Sequence, residues 1–147
     1  MAEEQTEPTF WLTPVRLEQI KARRQDPVLQ VYFDCLAAAC DHILGEEPPV
    51  FDGSLDKNRR MVFPYFGRPF KLTLQYLLTG EQRYADKAGF FLQRLLDVWE
   101  ASRKPWKFEG FSVEHLQEAI LNQGVIPSIQ WLRYTRAVRE EVLGRLE

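Results

Sequence analysis

Along most of this chain the apolar side chains return every three or four positions, and Pro or Gly closes each such segment before the next begins. That spacing lays an apolar stripe along an α-helix. A half-buried strand would need strict alternation over about four to eight residues, and no useful stretch of it is present. The chain is therefore expected to be all-α, its helices shielding one another's stripes from water. At 147 residues, 45% apolar and 13% aromatic, it has the size of one domain and enough Phe and Trp to fill a core without metal or disulfide support.

The punctuation gives the order of the helices. Thr13-Pro14 is a start signal, because a Pro at the first helical position lacks only a donor that would be unpaired there, and it predicts a first helix over 14–24. Asp26-Pro27 repeats the signal. Val28, Val31, Cys35, Ala38, Ala39, His42 and Ile43 then form an apolar stripe that runs to a stop at Gly45. Pro48-Pro49 and Asp52-Gly53 mark a loop inside one domain. Phe63, Phe66, Phe70, Leu74 and Leu77 share the next stripe, and Pro64, Gly67 and Pro69 disturb its first turns, so the regular helix is expected from Arg68 to Thr79-Gly80. The longest amphipathic segment follows from Glu81 to about Ser102, with Tyr84, Ala88, Phe91, Leu95 and Val98 facing inward and Trp99 beside them. So short a connection at Gly80 predicts an antiparallel helical hairpin. After a loop over 103–111, Ser112 is expected to cap a helix through Asn122. Gly124 and Pro127 break the pattern, a further helix opens near Pro127 with Ile129, Trp131 and Leu132, and a last one uses Val138, Val142 and Leu146. Residues 1–11 read as an acidic flexible tail whose first ordered contact is Phe10 and Trp11, ahead of a single helical domain over 12–147.

Charge and cysteine usage narrow the function classes. Between Lys57 and Lys107 stand eleven basic residues against four acidic ones, a net of +7 inside a chain of net −2, so the remainder carries −9. Such a band attracts a polyanion, or else its members are solvated helix faces paired with neighbours. Cys35 and Cys40 are about 140° apart around a helix axis, so they face different ways and read as buried free thiols. Glu3, Glu4 and Glu7 make the start unlike a secretory signal, and no stretch approaches the roughly 20 apolar residues of a membrane span; the expectation is a cytoplasmic chain with no membrane contact. No metal-ligand spacing, Gly-rich phosphate loop or nucleophile elbow is present, so neither metal nor cofactor is expected. His42, on the apolar stripe, reads as a core or boundary histidine.

Four stretches, taken in order, resemble the helical N-terminal region of heparinase II/III-like and alginate lyase proteins. They are Leu12-Thr13-Pro14 with Leu17, Ile20 and the run Lys21-Ala22-Arg23-Arg24; the span from Leu72 to Ala88, with its Thr79-Gly80 turn and Tyr84; Val113 to Ala119 after a loop containing Trp106; and Trp131-Leu132-Arg133-Tyr134 followed by Arg139-Glu140-Glu141-Val142. The resemblance implies part of an incomplete α/α toroid of antiparallel helix pairs that binds an acidic polysaccharide. Complete members cleave it by β-elimination, which needs a group to neutralise the uronate carboxylate, a base and an acid. In the family those residues lie on helices beyond the region matched here, so this chain by itself is expected to hold no complete catalytic site, and its catalytic residues are unknown.

A toroid opens its cleft at helix ends. The candidate substrate-binding residues are therefore Tyr65, Arg68, Trp106 and Trp131, where aromatic faces beside a guanidinium suit sugar rings bearing carboxylates or sulfates, with core packing the competing reading for both Trp residues. His115, near a helix start, is a further candidate for the groove. Asn122 and Gln123 carry amides able to hold a carboxylate, although Asn122-Gln123-Gly124 also reads as a helix C-cap with a left-handed Gly. The alternative function is a helical protein–protein interaction module, through a protein partner or self-association at an open edge bearing Val138, Val142 and Leu146. Nucleic-acid binding through the basic band is the lesser expectation.

Overall fold

The structure is a computed structural model that describes residues 8, 12–47, 65–101 and 113–143, the side chains of 96, 98–101 and 113–122 excepted. Six helices and no strand occur among them: α1 (Pro14–Ala22), α2 (Pro27–Leu44), α3 (Arg68–Thr79), α4 (Gln82–Ala101), α5 (Val113–Tyr134) and α6 (Glu140–Leu143). The all-α expectation stands. Phe10, Trp11, residues 48–64 and 102–112, with Trp106 and Ser112 among them, and Leu146 lie outside the described residues, as does the tail apart from Pro8, which is buried.

The starts and stops follow from local chemistry. Thr13 Oγ1 accepts from the Arg16 amide at 3.3 Å and Asp26 Oδ1 from the Val28 amide at 3.0 Å, each just before a Pro. α3 ends at Gly80, whose φ of 76° is left-handed and whose N–H donates to the Tyr76 carbonyl at 2.7 Å. Thr79 Oγ1 donates back to the Gln75 carbonyl at 2.8 Å and accepts from the Glu81 amide at 3.2 Å, so one hydroxyl bonds both sides of this corner.

α3 lies at the centre, touching α2, α4 and α5, and its interface with α4 is the most extensive of all. One core cluster gathers Cys40 and Ile43 of α2, Leu72 of α3, Tyr84, Ala88, Phe91 and Leu92 of α4, Leu132 of α5 and Leu143 of α6. A second joins Leu12, Leu17, Leu77 and Trp131. Burying a side chain of this size contributes about 1.5–3 kcal/mol each, enough to hold helices whose own propensity is marginal.

Four expectations are corrected. The break at Gly124 and Pro127 does not occur: α5 runs unbroken from Val113 to Tyr134 with Pro127 inside it. Pro127 removes one helical hydrogen bond, and buried Val125, Trp131 and Leu132 on either side hold the helix through the gap. Gly124 is accordingly no left-handed cap. A Cβ there would stand 3.0 Å from the Phe66 carbonyl oxygen, so its smallness permits a close helix-to-loop approach.

The stripe of α2 is also turned. Val28 and Val31 are 69% and 61% exposed, and Cys35, Ala38 and His42 are exposed too, while Cys40 and Ile43 enter the core with Leu36 and Leu44 against it, and Leu29 and Phe33 are half-buried. Cys35 is thus no buried thiol and His42 no core histidine. Finally, Val138 and Val142 are half-buried against the bare backbone of Gly89, where an added Cβ would meet Val138 at 3.1 Å. At these two positions the edge is closed, and Leu146 lies outside the described residues.

Candidate functional site

The end of α2, the turn at Tyr65 and the starts of α3 and α4 bring the described polar groups together. Arg68 opens α3, and its Nε and Nη2 donate to the two carboxylate oxygens of Glu46 at 2.8 and 3.2 Å. Its guanidinium lies 4.6 Å above the Tyr65 ring, which stacks on Phe91 at 5.9 Å with 23° between planes. Both charged side chains are about four-fifths buried, a forked pair on an aromatic floor. His42 Nε2 stands 3.6 Å from Glu46 Oε1 at the solvent edge.

A second network adjoins it one turn into α4. The Tyr84 hydroxyl donates to Asp41 Oδ1 at 2.7 Å and accepts from Arg83 Nη2 at 2.9 Å. Burial, and then the hydrogen bond to the Asp41 carboxylate, hold the Tyr84 hydroxyl above the ordinary tyrosine range. Tyr84 is therefore a proton-retaining strut between α2 and α4 and poorly suited to act as a base. Lys87 is recessed, its Nζ 5.2 and 5.7 Å from the Phe90 and Phe91 rings and 3.8 Å from Glu47 Oε1.

This arrangement changes the meaning of the basic band. Arg68 is matched by Glu46, Arg83 by Glu81 and Asp41, Lys87 by Glu47 and Arg94 by Asp97 at 3.9 Å. Lys57, Arg59, Arg60, Arg103, Lys104 and Lys107 lie outside the described residues. Among those described, the positive field is largely compensated where it arises.

Of the sequence-derived candidates, Tyr65 and Arg68 meet directly. Gln123 is exposed, and because Gly124 abuts the Phe66 carbonyl, the backbone of Asn122 and Gln123 runs close to that corner. His115 and Asn122 lie on α5, where only their backbone is described. Trp131 stands about 10 Å further along α5. It is 2% exposed, with its indole N–H donating to the Leu12 carbonyl at 3.0 Å and its ring edge-on to Tyr134 at 5.7 Å. It ties the chain entry to α5 and offers no face to a sugar. Among the described residues no three His, Cys, Asp or Glu side chains cluster as a metal site, and no helix is long and apolar enough to cross a membrane.

The surface that the sequence reading missed is the outer stripe of α2, where Val28, Val31 and Tyr32 are 69%, 61% and 69% exposed and Cys35 continues the row. Its signal was available. Apart from His42 near its end, apolar residues surround α2 except for a narrow polar strip at Gln30, Asp34 and Asp41, so the helix carries two largely apolar faces and can bury only one in its own domain. No known protein family, curated protein or solved structure matches this chain.

Proposed function

We propose that this chain is a helical interaction module that offers the outer face of α2 to a protein partner. The observation that carries the reading is the exposed row Val28, Val31, Tyr32, continued by Cys35, on a helix whose opposite face already fills the core. Aromatic and aliphatic side chains held on a rigid helix are the usual anchors of helix-in-groove and helix-on-helix recognition. The tight Gly80-Glu81 connection between α3 and α4 and their large interface favour an antiparallel hairpin as the scaffold. A partial toroid of such pairs is the wider arrangement we infer from the family resemblance.

The test is selection from a displayed library of amphipathic helices against the full chain. Binders that are lost on Val31→Asp support the reading. Binders indifferent to Val28, Val31 and Tyr32 overturn it.

One observation favours a second reading, the acidic polysaccharide. Arg68 over the Tyr65 ring is a pairing that can receive a carboxylated sugar if the ligand's carboxylate replaces Glu46. Retention on heparin or alginate that falls with salt and with Arg68→Ala would favour it, and a rise in absorbance from unsaturated uronate products would show lyase activity. Passage through both columns at low salt leaves the interaction module standing alone.

A further inference from the structure

We infer that the partner of the α2 outer face is a second copy of the same chain, docked with the two α2 helices antiparallel about a two-fold axis at Cys35. This rests on the interaction-module reading and names the partner. The argument is self-complementarity along one helix. The first half of the outer face is bulky, with Val28, Val31 and Tyr32, whereas the second half opens small, with exposed Ala38 and half-exposed Ala39 ahead of His42. Residues advance about 1.5 Å along a helix, so a two-fold axis at Cys35 sets Tyr32 level with Ala38 of the second copy and Val31 level with Ala39. Tyr32 and Val31 then each meet an alanine, and Val28 stands level with His42 of the second copy. A parallel pairing would set Tyr32 against Tyr32 and leave a gap between the alanines.

The charges agree with the same register. Arg23 and Arg24 stand just before α2, ahead of its N-cap Asp26, and Glu46 and Glu47 stand just after Gly45 at its end; Arg23 is paired with Asp26 at 2.6 Å and Glu46 with Arg68. Antiparallel pairing about Cys35 places the basic end of one copy level with the acidic end of the other, twice over, as an isologous contact requires. Two of these charges are well placed to engage. Arg24 reaches only the Leu78 carbonyl among the described residues, at 3.4 Å, and the Glu47 side chain is 84% exposed. The macrodipoles run the same way, each positive α2 start lying by a negative α2 end. A foreign partner would have no reason to match this alternation of large and small, basic and acidic.

The experiment is sedimentation equilibrium of the full chain across the micromolar range, with variants on exposed positions so that the fold survives. The wild type is expected at twice 17.3 kDa. Val31→Asp should return the monomer mass with an unchanged circular-dichroism spectrum. Tyr32→Ala and Ala38→Tyr should each weaken the dimer by roughly tenfold or more, and the double variant, which exchanges bulk and space, should recover most of the loss. A short bis-maleimide should join Cys35 to Cys35 in the wild type, each thiol adding to one maleimide, and should fail with Val31→Asp. A wild-type monomer throughout the range overturns the self-pairing while leaving the helix-library test to decide the interaction module. A dimer indifferent to Val31→Asp, or a double variant weaker than either single one, overturns the face or the register.

Discussion

Cys35 and Cys40 sit five residues apart on α2 with opposite surroundings, so thiol chemistry reports directly how that helix is turned. Cys40 is fully buried, its S–H donating to the Lys71 carbonyl at 3.3 Å, and burial pushes its pKa from the usual 9.0 up to about 11. Since the thiolate is the reactive form, two units remove about 99% of it at pH 8, a hundredfold loss before any restriction of access. Iodoacetamide at pH 8 should therefore label one thiol quickly and the other only as the chain unfolds, with mass mapping placing the fast label on Cys35. The same shift has a sign in stability. Because the folded value lies above the unfolded one, the contribution of Cys40 is complete below about pH 9 and is lost as pH climbs towards 11, by about 2–3 kcal/mol at most. Cys40→Ala should flatten that alkaline decline and cost about 1–3 kcal/mol near neutrality, through the lost contacts of a fully buried atom. Equal labelling rates, or a label on Cys40 in the folded chain, would refute the orientation of α2 and with it the outer stripe.

Three further outcomes follow from single positions. Thr73 is 1% exposed and its hydroxyl has no hydrogen-bond partner among the described residues, so Thr73→Val, which keeps the shape and removes the unpaired group, should raise stability by about 1 kcal/mol in urea unfolding. Gly80 has φ of 76° and open space where a Cβ would stand, so Gly80→Ala should cost about 1 kcal/mol from backbone strain alone and Gly80→Asn less, read as shifts in the thermal midpoint. Arg68→Ala strips Glu46 of both hydrogen bonds in a site that is about four-fifths buried, and should cost about 1–3 kcal/mol; Arg68→Ala with Glu46→Ala together should cost less than the sum of the two alone.

The features legible in the sequence were those set within a few residues of themselves. Thr13-Pro14, Asp26-Pro27 and Thr79-Gly80 fix their corners by hydrogen bonds between close neighbours, and all three stand where their chemistry places them. The stripe Tyr84, Ala88, Phe91, Leu95 was equally readable, because α4 has one apolar side and therefore one way to face. Gly124 and Pro127 misled for a long-range reason. What selects Gly124 is the Phe66 carbonyl, 58 positions earlier in the chain, and what carries the helix past Pro127 is the packing of Val125, Trp131 and Leu132. Neither is visible in the local string. Of the site residues, the Tyr65 and Arg68 pairing was within reach of sequence, being three apart at a helix start. The partner that occupies Arg68 was not, since Glu46 comes from the end of a different helix.

α2 shows the same limit from the other side. Val28, Val31, Cys35, Ala38 and His42 form as good a helical stripe as Leu29, Phe33, Leu36, Cys40 and Ile43, so periodicity alone cannot choose between them. The choice is made by volume. Leu36, Ile43 and Leu44 are large aliphatic side chains, and the α3 and α4 surfaces take the face that carries them. The smaller stripe is left in water at a cost of the order of 25 cal/mol for each Å² of apolar surface, and a polar residue, such as the His42 that ends it, would relieve that cost at its other positions without touching the core. The only charged residues on α2 are instead Asp34 and Asp41, both on the narrow polar strip between the two faces. A helix that keeps both apolar stripes, and confines its charges to the seam between them, buries one stripe in its own domain, and the docking proposed above on Val31 would cover the other.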